Sequence, residues 1–389
     1  MNKLKSKIGI AVFIALTQTT TASAAVTLND TLKDTTFTFG GYIKIDSFWT
    51  ETSDGAIASN SIGRQFYVPS TIPVNAGDSA TSFDTHARSS RFNFGTTSDV
   101  DGAKIKTFLE FDLLGTAGGN ELVSNSYSPR LRHAFVSYNN WLVGQTWSTF
   151  QNVGALPESI DFLGPADGSV FVRQSQVRYT HGNWQFALEN PESLIHNYQG
   201  AGRSAYDESV LPDVVARYNI SEDWGQMSLA GLMRQLKADN DLIDDTATAF
   251  GISVSGKLKV GSKDDIRFMG TYGSGMGRYI GLALISDGVL DTNHNIETID
   301  SFGGLLAYRH FWTDTTRSTI SYSFLEADND PNLTGHYVSQ SSKSLHVNLV
   351  FEPAKSFTVG TEYIFANREL ENGDDGDMNR LQISVKYAL

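Results

Sequence analysis

About sixteen times the chain repeats one pattern: a stretch of roughly ten residues in which apolar and polar side chains alternate, then a connection that is short or long by turns. A period of two sends each set to its own face of a strand. In "FTFGGYIKIDSFW", Phe37, Phe39, Ile43, Ile45 and Trp49 share one parity, while Thr38, Lys44 and Asp46 share the other. In "AKIKTFLEFDLL", Ile105, Thr107, Leu109, Phe111 and Leu113 oppose Lys104, Lys106, Glu110 and Asp112. In "RLQISVKYAL", Leu381, Ile383, Val385, Tyr387 and Leu389 oppose Arg380, Gln382, Ser384 and Lys386. The segments fall at 37–49, 87–96, 103–113, 130–138, 141–150, 170–180, 184–190, 210–218, 224–235, 248–258, 265–273, 301–311, 317–325, 343–351, 357–366 and 379–389. Lengths near ten residues match a tilted strand crossing a bilayer.

The connections discriminate better than the strands. Long ones lie at 50–86, 114–129, 151–169, 191–209, 236–247, 274–300, 326–342 and 367–378. Short ones read "TSDVDG", "NN", "HGN", "NISED", "KVGSKD", "TDTT" and "EPAKS". A soluble sheet with one wet face shows the same residue alternation, but has no reason to alternate its loop lengths. A barrel crossing an outer membrane does, with short periplasmic turns and long extracellular loops. The expected fold is therefore all-β: one transmembrane antiparallel β-barrel of about 16 strands over 37–389. Trp49, Tyr138, Trp141, Trp184, Trp224 and Trp312 sit near strand ends, where aromatic girdles meet the membrane interfaces. A closed barrel this wide leaves an aqueous channel.

The first residues read as an export signal. Lys3, Lys5 and Lys7 precede the apolar run 8–16 and the small residues Ala22-Ser23-Ala24. This predicts a signal peptide over 1–24 and a short periplasmic segment over 25–36. No other run of about 18 apolar residues offers a helical span. The chain has no Cys, which removes disulfides, thiolate metal sites and a Cys nucleophile. Its net charge of -13 argues against a nucleic-acid partner. Much of that charge lies in outer loops such as "ADNDLIDDT", "EADNDPN" and "ENGDDGD", expected to be solvated and to face lipopolysaccharide. They carry oxygen donors but no EF-hand spacing, so no metal site is assigned.

The inward parity has the opposite sign. It contains Lys44, Arg91, Lys104, Lys106, Arg130, Arg132, Arg173, Arg178, Arg217, Arg234, Arg267, Arg309, Arg380 and Lys386, against Asp46, Glu110, Asp112, Asp213 and Glu362. Arg or Lys facing lipid at the midplane costs about 2–4 kcal/mol, so these groups belong in the lumen. A lumen lined by surplus cations concentrates anions. Lys44, Arg91, Lys104, Lys106, Arg130, Arg132, Arg173 and Arg178 are the candidate pore-lining basic wall. The loop 151–169, "QNVGALPESIDFLGPADGS", carries apolar anchors Leu156, Ile160, Phe162 and Leu163. It is a candidate inward constriction whose acids Glu158, Asp161 and Asp167 would face the Arg130/Arg132 and Arg173/Arg178 walls.

Enzymatic motifs are missing. "GISVSGKL" has Leu258 where a phosphate-cradling loop needs Ser or Thr, and it alternates as a strand. There is no GxSxG elbow and no HExxH. No catalytic residue and no cofactor is assigned. The reading is a passive diffusion channel for small hydrophilic solutes that favours anions. The alternatives are an adhesive or structural barrel with a plugged lumen, or a barrel hydrolase.

Several stretches, "GYIKID" (41–46), "SNSYSPRLRHAFV" (124–136), "GQTWSTF" (144–150), "LPESIDFLGP" (156–165) and "RQSQVRYT" (173–180), resemble the DcaP-like family of bacterial outer-membrane porins. The likeness is strongest over 40–180. It implies a sixteen-stranded homotrimeric barrel in the outer membrane, an inward loop after "GQTWSTF", and uptake of small anionic solutes such as carboxylates. Under it, Arg130, Arg132, Arg173 and Arg178 are lumen-wall residues, and Glu158 and Asp161 are constriction-loop acids. The last residue is Leu389 where such barrels usually place Phe, with Tyr387 and the alternating final strand carrying the assembly signal.

The hairpin 130–150 poses one local problem. Leu131 and Phe135 take the outward parity and Arg130 and Arg132 the inward one. That leaves His133 facing lipid, so a subunit contact is expected there.

Overall fold

The computed structural model describes residues 35–115, 124–200, 202–240 and 242–389. The expected signal peptide and most of the 25–36 segment lie outside them. In chain order the strands are β1 (Thr35–Thr52), β2 (Ala80–His86), β3 (Arg91–Val100), β4 (Ala103–Asp112), β5 (Arg130–Tyr138), β6 (Trp141–Trp147), β7 (Arg173–His181), β8 (Trp184–Glu189), β9 (Ser193–His196), β10 (Arg203–Tyr206), β11 (Asp213–Glu222), β12 (Gly225–Asn240), β13 (Ile243–Val260), β14 (Asp264–Ser274), β15 (Gly288–Leu290), β16 (Ile296–Thr298), β17 (Asp300–Phe311), β18 (Thr316–Asp328), β19 (Ser339–Ala354), β20 (Phe357–Leu370) and β21 (Asp375–Ala388).

Strands β9, β10, β15 and β16 make a small separate sheet. The others pair antiparallel in sequence order, and β21 returns to β1, with Ile43 opposite Tyr387 and Trp49 opposite Leu381. Strands β2 and β3 both pair with β1, one above the other, and occupy a single position in the wall. The circuit is thus a closed sixteen-stranded barrel among the described residues. The segment expected at 87–96 is corrected accordingly. Its strand starts at Arg91, and the chain breaks step after His86, where Ser90 Oγ accepts the Lys44 backbone N–H at 3.0 Å.

The two faces are inverted relative to a soluble protein. Ile45, Leu188, Leu229 and Leu306 are 51%, 51%, 54% and 60% exposed on the outer face. Asp46, Glu110, Arg132, Asp213, Glu362 and Arg380 are buried inside. Exposed apolar side chains over the whole outer face suit lipid, not water. All six expected girdle aromatics are exposed. Trp141–Tyr179 and Trp184–Tyr218 pair at 4.7 and 4.8 Å near the short turns, and Trp49–Phe83 at 4.9 Å toward the other end.

Two expected long loops are instead strand. Strands β12 and β13 stay paired up to Asn240 opposite Ile243, and β20 and β21 up to Glu369 opposite Asp375. The apolar alternation ends where lipid ends, but the hydrogen-bonded ladder continues into water, so the acidic 236–247 and 367–378 stretches are mostly protruding hairpins.

Three long connections, 53–79, 148–172 and 275–299, pack together inside the outer half of the barrel. Phe150, Val170, Met276, Tyr279 and Ile280 share one buried cluster with Leu325 of β18. Tyr67, Ile72, Leu163 and Ala166 share another with Ile364 of β20 and Met378 of β21. The sequence reading singled out only 151–169. The same signal, apolar anchors such as Phe66, Tyr67, Ile72, Tyr279 and Ile280 in a long loop, was present in the other two.

Candidate functional site: a basic wall facing an inward loop

The wall begins with an irregularity in the β4–β5 pair. Glu110 lies opposite His133, Phe111 opposite Leu131 and Asp112 opposite Arg130, so Arg132 is an extra residue in the ladder. A bulge of this kind re-aims side chains. Arg130, Arg132 and His133 all turn inward with Glu110 and Asp112, while Leu131, Val136 and Tyr138 are exposed outside. This corrects the expected subunit contact. His133 is buried, its Nδ1 lies 3.0 Å from Thr146 Oγ1, and its ring stands edge-on to Trp147 at 5.2 Å. Phe135 pairs opposite Phe108 on the inner face, not outward as the unbroken period required.

Ion pairs lock this patch. Arg130 Nε and Nη2 each donate to Asp112 at 2.8 Å. Arg132 donates to Glu110 at 2.7 Å and to Asp112 at 2.9 Å, and Arg91 lies 3.6 Å from Glu110. Aromatic rings hold the guanidinium planes. Phe162 of the inward loop has Arg91, Arg130 and Arg132 within 5.9, 5.7 and 5.2 Å of its centroid. Trp147 bridges Arg132 at 5.5 Å and Arg173 at 4.6 Å. Such contacts stabilise an arginine without neutralising it. Arg173 has no carboxylate within ion-pair distance among the described residues, and its Nη1 has no hydrogen-bond partner. The patch therefore sets four guanidiniums (Arg91, Arg130, Arg132, Arg173) against two wall carboxylates (Glu110, Asp112). Arg91 and Arg132 also line a cavity of about 160 Å³ together with Trp147, Phe171 and the loop residues Asp161 and Phe162.

The 148–172 loop crosses the barrel interior and is tied to the far wall. Asn152 donates to Ser228 of β12 at 3.1 Å. The Leu156 carbonyl accepts from Arg267 of β14. Glu158 accepts from Arg317 of β18 at 2.7 and 2.8 Å and from Arg309 of β17 at 3.2 Å. Ser159 and the Ile160 N–H donate to Glu362 of β20 at 2.7 and 2.6 Å. The Ile160 carbonyl accepts from Lys44 of β1 and from Gln382 of β21 at 3.1 Å. Close approach needs small residues beneath it. A Cβ on Gly360 would lie 2.2 Å from the Ile160 side chain, and one on Gly168 would lie 2.2 Å from the Gly304 backbone.

Comparison with known proteins follows the same lines. A family model described as DcaP outer membrane protein matches residues 2–389. The chain belongs to that family. The outer membrane channel DcaP of Acinetobacter baumannii has the same fold at a TM-score of 0.75 and 22% identity, over 91% of this chain and 97% of that one. An anion-selective porin from Comamonas acidovorans matches at 0.58 and 13%, over 91% and 100%. The trimer form of OmpT from Vibrio cholerae matches at 0.52 and 11%, over 91% and 99%. No curated protein matches the sequence. Family and barrel together make the chain an outer-membrane channel protein of the porin type.

In this DcaP-family barrel the loop acids do not meet the arginines expected for them. Glu158 is held by Arg309 and Arg317, and Arg317 was absent from the inward set read from sequence. Asp161 accepts the Tyr67 N–H at 3.0 Å and the Leu163 N–H at 3.2 Å. Asp167 accepts from the Tyr67 hydroxyl at 2.7 Å and from Ser342 and Ser344. Burial pushes both aspartates above the ordinary carboxylate range, with Glu362 adding to the effect at Asp161. What the loop offers the arginine wall is Phe162. Of the remaining wall candidates, Lys44 pairs with Asp46 at 2.9 Å. Lys104 and Lys106 share the face of Glu110 nearer the short turn and are exposed. Arg178 is engaged by Thr149 Oγ1 at 2.7 Å and the Trp147 carbonyl at 2.6 Å.

Proposed function

We propose that the chain forms a water-filled channel for passive diffusion of small hydrophilic solutes, that it favours anionic ones such as carboxylates, and that it works as a homotrimer. One observation carries the preference: on the wall facing the inward loop, four guanidiniums meet two carboxylates, a surplus of two positive charges. No loop acid forms an ion pair with these arginines among the described residues: Glu158 is bound by Arg309 and Arg317, Asp167 by Tyr67 and two serines, and Asp161, which lines the same cavity as Arg91 and Arg132, accepts from the Tyr67 and Leu163 N–H groups. An anion about 6 Å from one surplus charge, at an effective dielectric near 40, gains roughly 1.4 kcal/mol, about tenfold in occupancy. The 148–172 loop is the constriction in this reading, and Arg91, Arg130, Arg132 and Arg173 line it. Lys104 and Lys106 extend the positive wall toward the short-turn end.

The anion-selective Comamonas porin and the trimeric OmpT share the fold, which agrees with this reading. Residues 1–24 are proposed to be removed on export, which intact mass of the purified protein would report. Reversal potentials across a potassium chloride gradient in planar bilayers test the main claim. The expected sign is that of anion preference. A cation-selective reversal potential, or absence of stepwise conductance, would sink it.

A further inference from the structure

A second basic cavity lies at the outer mouth, away from the wall described above. It encloses about 290 Å³ between the small sheet of the loops and the tops of the barrel strands. His196 of β9, Arg203 of β10, Arg368 of β20 and Tyr337 line it, and no Asp or Glu does among the described residues. The two arginines are oriented rather than neutralised. Arg203 donates from Nη1 to the Ala283 carbonyl at 2.7 Å. Arg368 donates from Nε to Ser339 Oγ at 2.9 Å and from Nη1 to the Ser70 and Ile72 carbonyls at 3.2 and 3.0 Å. Nη2 of each guanidinium makes no hydrogen bond to a described residue, nor does His196 Nε2. The two charges lie within Coulombic reach of each other, and Asp287 lies within reach of Arg203 without forming an ion pair to it.

Nearby acids are already occupied. Asp287 accepts from Arg234 at 2.9 Å and from the N–H groups of Leu194 and Arg278 at 2.8 and 3.0 Å. Glu371 accepts from Asn329 at 2.7 Å. Two guanidiniums on one cavity, each held by its own backbone carbonyls, with donors left over and no carboxylate in the lining among the described residues, are complementary to a small oxyanion.

We infer that this outer cavity is an anion-capture site, taking the carboxylate or phosphate group of a soluble solute before it reaches the inner arginine wall. The inference rests on the anion-channel reading. It adds a saturable step at the mouth, where a wide aqueous pore alone would give conductance that rises steadily with salt.

The test is the conductance of wild-type channels in phosphatidylcholine bilayers, which hold no anionic lipid, as sodium citrate is raised. Saturation is expected, and Arg203→Gln should raise the half-saturating concentration roughly tenfold. Arg203→Lys, which keeps the charge, should lie between the two. Arg368→Gln should act in the same direction, but Arg368 also braces the Ser70 and Ile72 carbonyls, so Arg203 is the cleaner site. Anion preference in potassium chloride should persist in Arg203→Gln, because the inner wall is untouched. A wild-type channel without anion preference would overturn the functional reading. Anion preference with a half-saturation that Arg203→Gln does not move would overturn the capture site alone. Wild-type saturation by citrate that is lost once lipopolysaccharide is added to the outer leaflet would assign the cavity to a lipid phosphate and overturn its role toward solutes.

Discussion

The Glu362 carboxylate accepts the Ile160 backbone N–H at 2.6 Å, from a residue 202 positions away in the chain. The same group accepts the Ser159 hydroxyl at 2.7 Å and lies 2.8 Å from His346 Nδ1. One inward carboxylate on β20 therefore pins the tip of a loop that starts on the opposite wall.

Glu362→Ala should free that tip. It leaves a buried N–H, a hydroxyl and an imidazole without their acceptor, a loss of about 2–3 kcal/mol in anchoring. The barrel ladder does not use this side chain, so heat-resistant folding on a gel should persist while single-channel conductance rises. Unchanged conductance would show that the loop is held elsewhere.

Glu158 sets the acid response of the same loop. Burial alone would raise its pKa, but hydrogen bonds and charge from Arg317, and charge from Arg309, outweigh it and hold the group below its ordinary 4.5. A carboxylate depressed in the folded state contributes anchoring that is complete above the unfolded pKa and is lost as pH falls through the folded one. The Glu158 clamp should thus stay complete from neutral pH down to about 4.5 and release only below it, so any conductance change at higher pH belongs to Asp161 or Asp167 and should be lost in Asp161→Asn or Asp167→Asn. In Glu158→Gln the changed conductance should already be present at neutral pH. A transition near pH 6 that persists in Asp161→Asn and Asp167→Asn and disappears in Glu158→Gln would contradict this clamp.

Arg173 is the sharpest probe of selectivity. It contacts Trp147 and Phe171 but no carboxylate among the described residues. Arg173→Gln removes one of the two surplus charges and leaves no acid unpaired. The reversal potential should move toward neutrality by an amount reflecting roughly a several-fold loss of anion preference. If it stays put, Arg173 lies off the ion path.

Arg132 separates charge from backbone. It is the extra residue of the bulge, and it binds both Glu110 and Asp112. Arg132→Ala keeps the bulge and takes one cation from a buried pair of acids, a loss of about 3–5 kcal/mol. Deleting Arg132 instead restores an unbroken alternation, with Arg130 and His133 inward and Leu131 and Ala134 outward. The deletion should fold at least as well as Arg132→Ala in refolding yield, with lowered anion preference. A deletion that fails to insert where the alanine variant succeeds would show that the bulge shapes the barrel itself.

How much was legible follows from which interactions are local. The β5 and β6 starts, the "NN" turn and the period-two faces of β1, β4 and β21 were readable, because each strand reports its own two environments. His133 was misplaced because one inserted residue shifts parity for everything after it. The clue was in the string, since the apolar residues Leu131 and Val136, both exposed on the outer face, fall on opposite parities. Glu158, Asp161 and Asp167 were recognised as loop acids, but their partners Arg309, Arg317 and Tyr67 are remote in sequence and nothing local points to them.

By itself the sequence determined the barrel, its strand number, its apolar exterior and its polar, charged interior. Alternation and loop length record whether each residue meets lipid or water, and that record is local. Only the tertiary structure decided which wall the loop touches, which arginines keep their charge unpaired, and that Phe162 faces them in place of an acid. Those outcomes depend on side chains from six or more strands converging across an open interior, where distance along the chain carries no information about distance in space.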